Sequence, residues 1–293
     1  MTPTWKRLIR FVAQDGKTYR GEPIVSDADY DVGKQFLQGK QIMAKVITGD
    51  IFDNAVVTDV IKEVKTLLGP LTPDDVPMVK CVGLNFMKHI QEGGRTPPPF
   101  PSIFYKTSFS VADFGEDIPI PKIAQSKCDY EGELCIVIGK TGKNIKEEEA
   151  LSYVAGYVTG NDVSSRNWQK DPEFAGSVPQ WCFSKSFDKY APLGPALVSP
   201  QVIQNPGNLS LQTTVNGEIR QDANTDDLLF GVPRIISFIS QSTTLEMGTV
   251  IMTGTPSGVA LGMKPTPVYL QNGDVVEVAI DQIGTLSNKM VFE

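Results

Sequence analysis

Residues 129–139 read Asp129-Tyr130-Glu131-Gly132-Glu133-Leu134-Cys135-Ile136-Val137-Ile138-Gly139. Three carboxylates open the stretch, a short apolar run rich in β-branched residues follows, and glycine closes it, which predicts a β-strand. Side chains two apart in a strand share a face, so Glu131 and Glu133 converge. Two carboxylates aimed into an apolar β domain repel each other and lose water, so an opposite charge is needed to keep both ionised. A hard divalent cation supplies it. Asp162, in Thr159-Gly160-Asn161-Asp162 at the end of the next strand candidate, is the third oxygen donor. An all-oxygen set suits Mg²⁺ or Mn²⁺, whereas zinc more often takes histidine or cysteine. On spacing alone, E-x-E is also compatible with the wet face of an exposed strand.

Outward from this stretch the chain reads as mainly β with some α. YVAGYVTG, GTVIMTG and GDVVEVAI are further strand candidates, and Val215-Asn216-Gly217-Glu218 predicts a tight hairpin turn. IKEEEALSYVAG and PRIISFISQS are the helix candidates, the first with acidic residues at its start, where they oppose the helix dipole. Before residue 70 lie RLIRFVAQ, the turn pair Asp15-Gly16, IMAKVI and AVVTDVIKEVKTLL, then the breaker Gly69-Pro70-Leu71-Thr72-Pro73. These predict a small N-terminal α+β domain over 1–72 and a catalytic domain over 73–293.

The 293 residues are 41% hydrophobic and 21% charged, which is ordinary for a globular protein and long enough for a large core. A net charge of -7 without a basic block argues against nucleic acid as a partner. Neither a secretory leader nor a membrane span is legible, and the expected location is cytoplasmic. The cysteines at 81, 128, 135 and 182 form no C-x-x-C pair and are expected to be reduced.

The one histidine, His89, lies in GLNFMKHIQEGG. In a short helix over 85–92, His89 and Glu92 share a face at i,i+3, and the carboxylate raises the basicity of the imidazole. Such a pair is a general base for water. A lone histidine is more often a packed or surface residue, so this segment carries weight only together with the others.

Taken in order, GLNFMKHIQE, DYEGELCIVIGK, GNDVSSRNWQ, FSKSFDKYAPLGP and MTGTPSGV resemble the fumarylacetoacetate hydrolase family, from about residue 78 to the C-terminus. The resemblance implies a mixed β-roll catalytic domain, a homodimer, and Mg²⁺, Mn²⁺ or sometimes Ca²⁺ held by Glu131, Glu133 and Asp162. It gives His89 and Glu92 the water-activating role, Lys185 a place beside the developing negative charge, and Arg166, Gln169 and Thr255 places around the substrate. Asp129 and Lys140 are expected to be structural or solvent-facing. The implied reaction is hydrolytic C–C cleavage of an acylpyruvate or related 1,3-dicarbonyl compound. Decarboxylation of oxaloacetate or another 2-oxo acid is the alternative, since both pass through the same enolate. A non-catalytic, metal-stabilised dimer is the alternative of another class, and it requires that His89 and Glu92 lie away from any accessible pocket.

Overall fold

The computed structural model describes residues 3–25 and 30–293. Its spine is the Gly132–Ile138 strand, buried along its whole length. Alternate side chains of this strand feed two cores. Leu134, Ile136 and Ile138 pack in one cluster with Ile235 and Ile236. Cys135 and Val137 pack in another with Leu193 and Met252, so Glu133 shares their face. Each such burial is worth roughly 1.5–3 kcal/mol, the reserve against which a buried carboxylate is held.

The spine pairs antiparallel with Val154–Asn161 on one side and Val250–Met252 on the other. The sheet continues through Val79–Gly83, parallel to Val250–Met252, to Ser102–Lys106. In the other direction it passes through Ala191–Val198 to Arg7–Ala13. Arg7–Ala13 also pairs with both Thr18–Pro23 and Val56–Leu68, and Met43–Thr48 joins those two, so four N-terminal strands close into a ring. The four strands between residues 7 and 68 therefore share a sheet with the rest of the chain. A second, five-stranded sheet runs in the order Glu218–Asn224, Ser210–Val215, Val275–Ile280, Gly284–Phe292, Ile118–Ile120. The Asn216-Gly217 hairpin and the Asp15-Gly16 turn both join antiparallel strands as their residues predict.

Of the two helix candidates, PRIISFISQS forms Val232–Ile239, with Val232, Ile235, Ile236 and Ile239 buried on one stripe. The other is a correction: IKEEEALSYVAG yields only a 3-10 segment, Glu147–Tyr153, before the chain becomes strand Val154–Asn161. The β-branched and aromatic residues after Tyr153 are claimed by pairing with neighbours on both sides, which leaves too few residues for an α-helix. The His89 helix is Met87–Glu92 rather than 85–92. Asn85 is buried outside it, donating to Phe230 O and Thr253 O and accepting from Phe230 N–H. The four cysteines are free, three buried and Cys182 exposed. No helix among the described residues is long and apolar enough to cross a membrane.

Candidate metal centre

Glu131, Glu133 and Asp162 each offer a carboxylate oxygen, and the three oxygens lie within 4.8 Å of one another. Strand alternation alone does not achieve this, because Glu131 sits one residue ahead of the Gly132–Ile138 strand. A backbone clasp completes it: the Asp162 N–H donates to Glu131 O at 2.8 Å, and the Glu131 N–H donates to Asn161 Oδ1 at 2.9 Å. Two strand ends are thus tied together where the ligands emerge.

The charges around this point are unevenly matched. Lys185 Nζ contacts Asp162 Oδ2 at 2.8 Å and Glu131 Oε2 at 2.9 Å. Arg166 bridges Asp129 Oδ2 at 2.7 Å and Glu131 Oε1 at 2.6 Å. Lys106, fully buried, contacts Asp162 Oδ1 at 2.5 Å and donates to Tyr190 O. Four carboxylates therefore face three cations, and among the described residues Glu133 has no cationic partner. Burial raises the Glu131 carboxyl, but Lys185 and Arg166 outweigh it and hold the group down at about 2. Burial, then Asp162 and Glu131, push the Glu133 carboxyl well above its usual range. Burial works against the Lys185 ammonium, yet Asp162 and Glu131 hold its proton more tightly than usual. A divalent cation at Glu133 relieves the one uncompensated repulsion, and its all-oxygen donors fit a hard ion.

The third anchor is the Gly254 N–H, which donates to Glu133 Oε2 at 2.6 Å. Gly254 has φ +100°, and a Cβ there would lie 2.9 Å from Val82 O, so this loop needs glycine. Beside it, Thr255 donates to Gly132 O at 3.0 Å and accepts from Gln221 Nε2 at 2.8 Å.

The dyad forms: His89 Nδ1 and Glu92 Oε2 are 3.1 Å apart. Burial raises the Glu92 carboxyl, but its bonds to His89 and to the Gly258 N–H outweigh this and leave it below the usual value. At Gly262 a Cβ would meet the Glu92 carboxyl carbon at 2.6 Å, so a larger residue there would push the dyad carboxylate aside.

His89, Glu92, Glu131, Arg166, Lys185 and Thr255 line one cavity of about 290 Å³, with Gln169 bonded to Arg166 on its wall. Glu133 and Asp162, whose carboxylate oxygens lie within 4.8 Å of that of Glu131, do not line it. A purely structural metal dimer calls for a dyad remote from any cavity, and the dyad lines this one. Two residues of the site escaped sequence reading. Lys106 carries no motif, only the oddity of a lysine in an apolar strand, SIFYK. Gln221 is a polar residue of a distant hairpin. Of the two options expected for Asp129, structural or solvent-facing, the residue takes the first: it is wholly buried, accepting from Arg166 and from the Ala260 and Leu261 N–H groups. Lys140 is exposed and lies over the Tyr153 ring.

The family model described as fumarylacetoacetate (FAA) hydrolase C-terminal matches residues 78–291. Caffeoylpyruvate hydrolase of Neonothopanus nambi is 41% identical across 100% of this chain and 96% of its own. The mitochondrial oxaloacetate tautomerase fahd2 of Xenopus laevis is 42% identical over 77% of this chain and 68% of its own. Among solved structures, 2-hydroxyhepta-2,4-diene-1,7-dioate isomerase from Mycobacterium marinum superposes with a TM-score of 0.78 at 30% identity, over 98% of this chain and 99% of that one. The mitochondrial relatives, which include the rat and human tautomerases, overturn the cytoplasmic expectation. That expectation rested on the lack of an apolar leader, whereas mitochondrial transit segments are amphipathic and basic, so the lack says nothing about that compartment. With the carboxylate cluster, the β-roll around it and matched sequence over 78–291 in agreement, the chain belongs to the fumarylacetoacetate hydrolase family.

Proposed function

We propose that the protein hydrolyses a C–C bond of an acylpyruvate or related 1,3-dicarbonyl compound in a divalent-metal-dependent reaction. One observation carries this reading: a histidine–carboxylate base and the Glu131–Lys185–Arg166 side of the carboxylate cluster line the same cavity. Mg²⁺ or Mn²⁺, with Ca²⁺ as a further option, would be held by Glu131, Glu133 and Asp162 and would supply Lewis acidity toward the 2-oxo acid. Arg166, Gln169 and Thr255 orient the carboxylate end. His89 takes a proton from water, and Glu92 stabilises the resulting imidazolium. The water oxygen bonds to the distal carbonyl carbon, and the bond from that carbon to the adjacent CH₂ breaks. Its electron pair becomes the enolate of the departing 2-oxo acid, opposed by Lys185 Nζ. The proton on His89 then passes to the enolate carbon, so a carboxylic acid and a 2-oxo acid leave. The Neonothopanus relative's acylpyruvate chemistry supports this reading.

A second reading is keto–enol conversion of oxaloacetate, supported by the tautomerases at 40–42% identity. It passes through the enolate of oxaloacetate itself, formed by loss of a C3 proton, without attack by water. Decarboxylation of oxaloacetate instead gives the pyruvate enolate that cleavage of an acylpyruvate gives, and we take the active form to be a homodimer.

The test is a panel of acylpyruvates and oxaloacetate with the Mg²⁺- or Mn²⁺-reconstituted protein, following bond cleavage, CO₂ release and enol decay separately. His89→Ala is expected to lower acylpyruvate cleavage by roughly 10²- to 10⁴-fold while calorimetric metal affinity is retained. Unchanged cleavage in that variant excludes His89 as the base, and enol decay without cleavage in the wild type selects the tautomerase reading. A scattering mass of one 32.0 kDa chain excludes the dimer.

A further inference from the structure

The cavity that holds the dyad and the Glu131–Lys185–Arg166 cluster also has an apolar wall, built from Val82, Gly83, Leu84, Phe104, Pro179 and Trp181. Residues 82–84 lead into the dyad helix, which begins at Met87. Trp181 opens the helix Trp181–Lys185, so the two end residues share a face one turn apart. Both side chains pack on Phe104. The indole lies with ring centroids 5.5 Å apart and planes nearly perpendicular, and Lys185 Nζ is 5.2 Å from the Phe104 centroid. The apolar wall thus runs from the lysine that opposes the enolate to the base of the dyad helix.

Gly83 decides where the indole sits. A Cβ there would lie 2.2 Å from Trp181 Cζ3, so the ring rests directly on the glycine backbone. Gly83 is not among the positive-φ glycines, so its bare Cα serves this contact rather than a special backbone turn. Phe104, Pro179 and Trp181 also line a second cavity of about 450 Å³, together with Ile103 and Cys182. Trp181 therefore stands between the catalytic cavity and this outer one. Cations at the mouth have counter-charges within the protein, since Glu92 acts on Lys264 and Asp171 on Lys170. The apolar wall has no such partner and faces the open cavity.

We propose that Trp181, seated on Gly83, is the specificity-determining residue for the acyl end, and that the preferred substrates are acylpyruvates whose acyl group is planar, uncharged and apolar. An aryl or conjugated alkenyl group of this kind lies along the indole. It gains from Trp181 and Phe104 beyond the area that it buries, which a saturated ring of the same size does not. The assignment rests on the orientation given under the proposed function, with the 2-oxo acid end at the carboxylate cluster.

Binding of 2-oxo acids that lack the distal carbonyl, and so are not cleaved, tests this apart from turnover. The Mn²⁺-loaded full chain is titrated calorimetrically with 2-oxopentanoate, 2-oxo-4-phenylbutanoate and 4-cyclohexyl-2-oxobutanoate. In the wild type the phenyl ligand is expected to bind roughly tenfold or more tightly than 2-oxopentanoate. It is expected to exceed the cyclohexyl ligand by roughly two- to tenfold. Both ratios are expected to fall toward one in Trp181→Ala, and also in Gly83→Ala, which unseats the ring without removing it. The glycine variant carries the test if Trp181→Ala does not fold. Equal wild-type affinities for the phenyl ligand and either of the others overturn the proposal while leaving the 2-oxo acid orientation intact, and so do ratios that survive in the variants. Failure of all three ligands to bind the wild type overturns the orientation, and the proposal with it.

Discussion

At the residue scale the site is a balance among buried charges, and two of them act in opposite directions with pH. Glu131 is held down at about 2 against a usual 4.5, so its contribution to stability is present above 4.5 and is lost as pH falls from there toward 2. Glu133 is raised, so the metal-free fold binds that proton more tightly than the unfolded chain, and stability falls as pH climbs from the usual carboxyl value through the raised one. A divalent ion must displace the same proton. Apparent metal affinity is therefore expected to rise with pH through this range, with proton release on binding, as read by calorimetry in buffers of differing ionisation enthalpy. Affinity independent of pH would refute a protonated Glu133. Lys106 offers a second measurement. With its side chain fully buried against Asp162, Lys106→Met leaves that carboxylate under-compensated. A loss of about 3 kcal/mol in urea unfolding of the metal-free protein is expected, and a loss below about 1 kcal/mol would mean that Lys185 alone suffices.

At the element scale the ligands are aimed by where strands stop. The Val154–Asn161 strand ends so that the Asp162 N–H reaches Glu131 O, and the loop after Val250–Met252 turns its Gly254 N–H onto Glu133. Gly254→Ala places a Cβ against Val82 O at a backbone conformation that alanine rarely adopts. A cost of about 1–3 kcal/mol is expected, with weaker Mn²⁺ binding because the donor to Glu133 shifts. Wild-type thermal stability together with wild-type Mn²⁺ affinity would show that the loop tolerates the change. This scale also explains the failed helix prediction. The acidic start of IKEEEALSYVAG satisfies a local helix rule, while ladder pairing on both sides of Val154–Asn161 is non-local and wins.

At the scale of the whole molecule, the N-terminal ring is bound into the catalytic sheet through the pairing of Arg7 and Leu8 with Val198 and Leu197. Trp5, Leu8 and Leu71 are wholly buried in the cluster that also holds Cys135, Val137 and Leu197. Deleting residues 1–72 strips this cluster and bares the edge of Ala191–Val198. The truncated chain is expected to show no cooperative thermal transition and to aggregate through that edge. A soluble, cooperatively melting fragment would establish residues 73–293 as an independent domain. The β-rich class, the Val232–Ile239 helix, the Asn216-Gly217 hairpin, the paired glutamates and the His89–Glu92 contact were all legible in the sequence. Each depends on periodicity or on residues a few positions apart, where backbone geometry alone dictates who can meet whom. The burial of Lys106 against Asp162, the Asp129–Arg166 pair, the aim of Gly254 and the seating of Trp181 on Gly83 were decided only by tertiary structure. Those partners lie tens to more than a hundred residues apart, and only the order and register of the strands bring them into range.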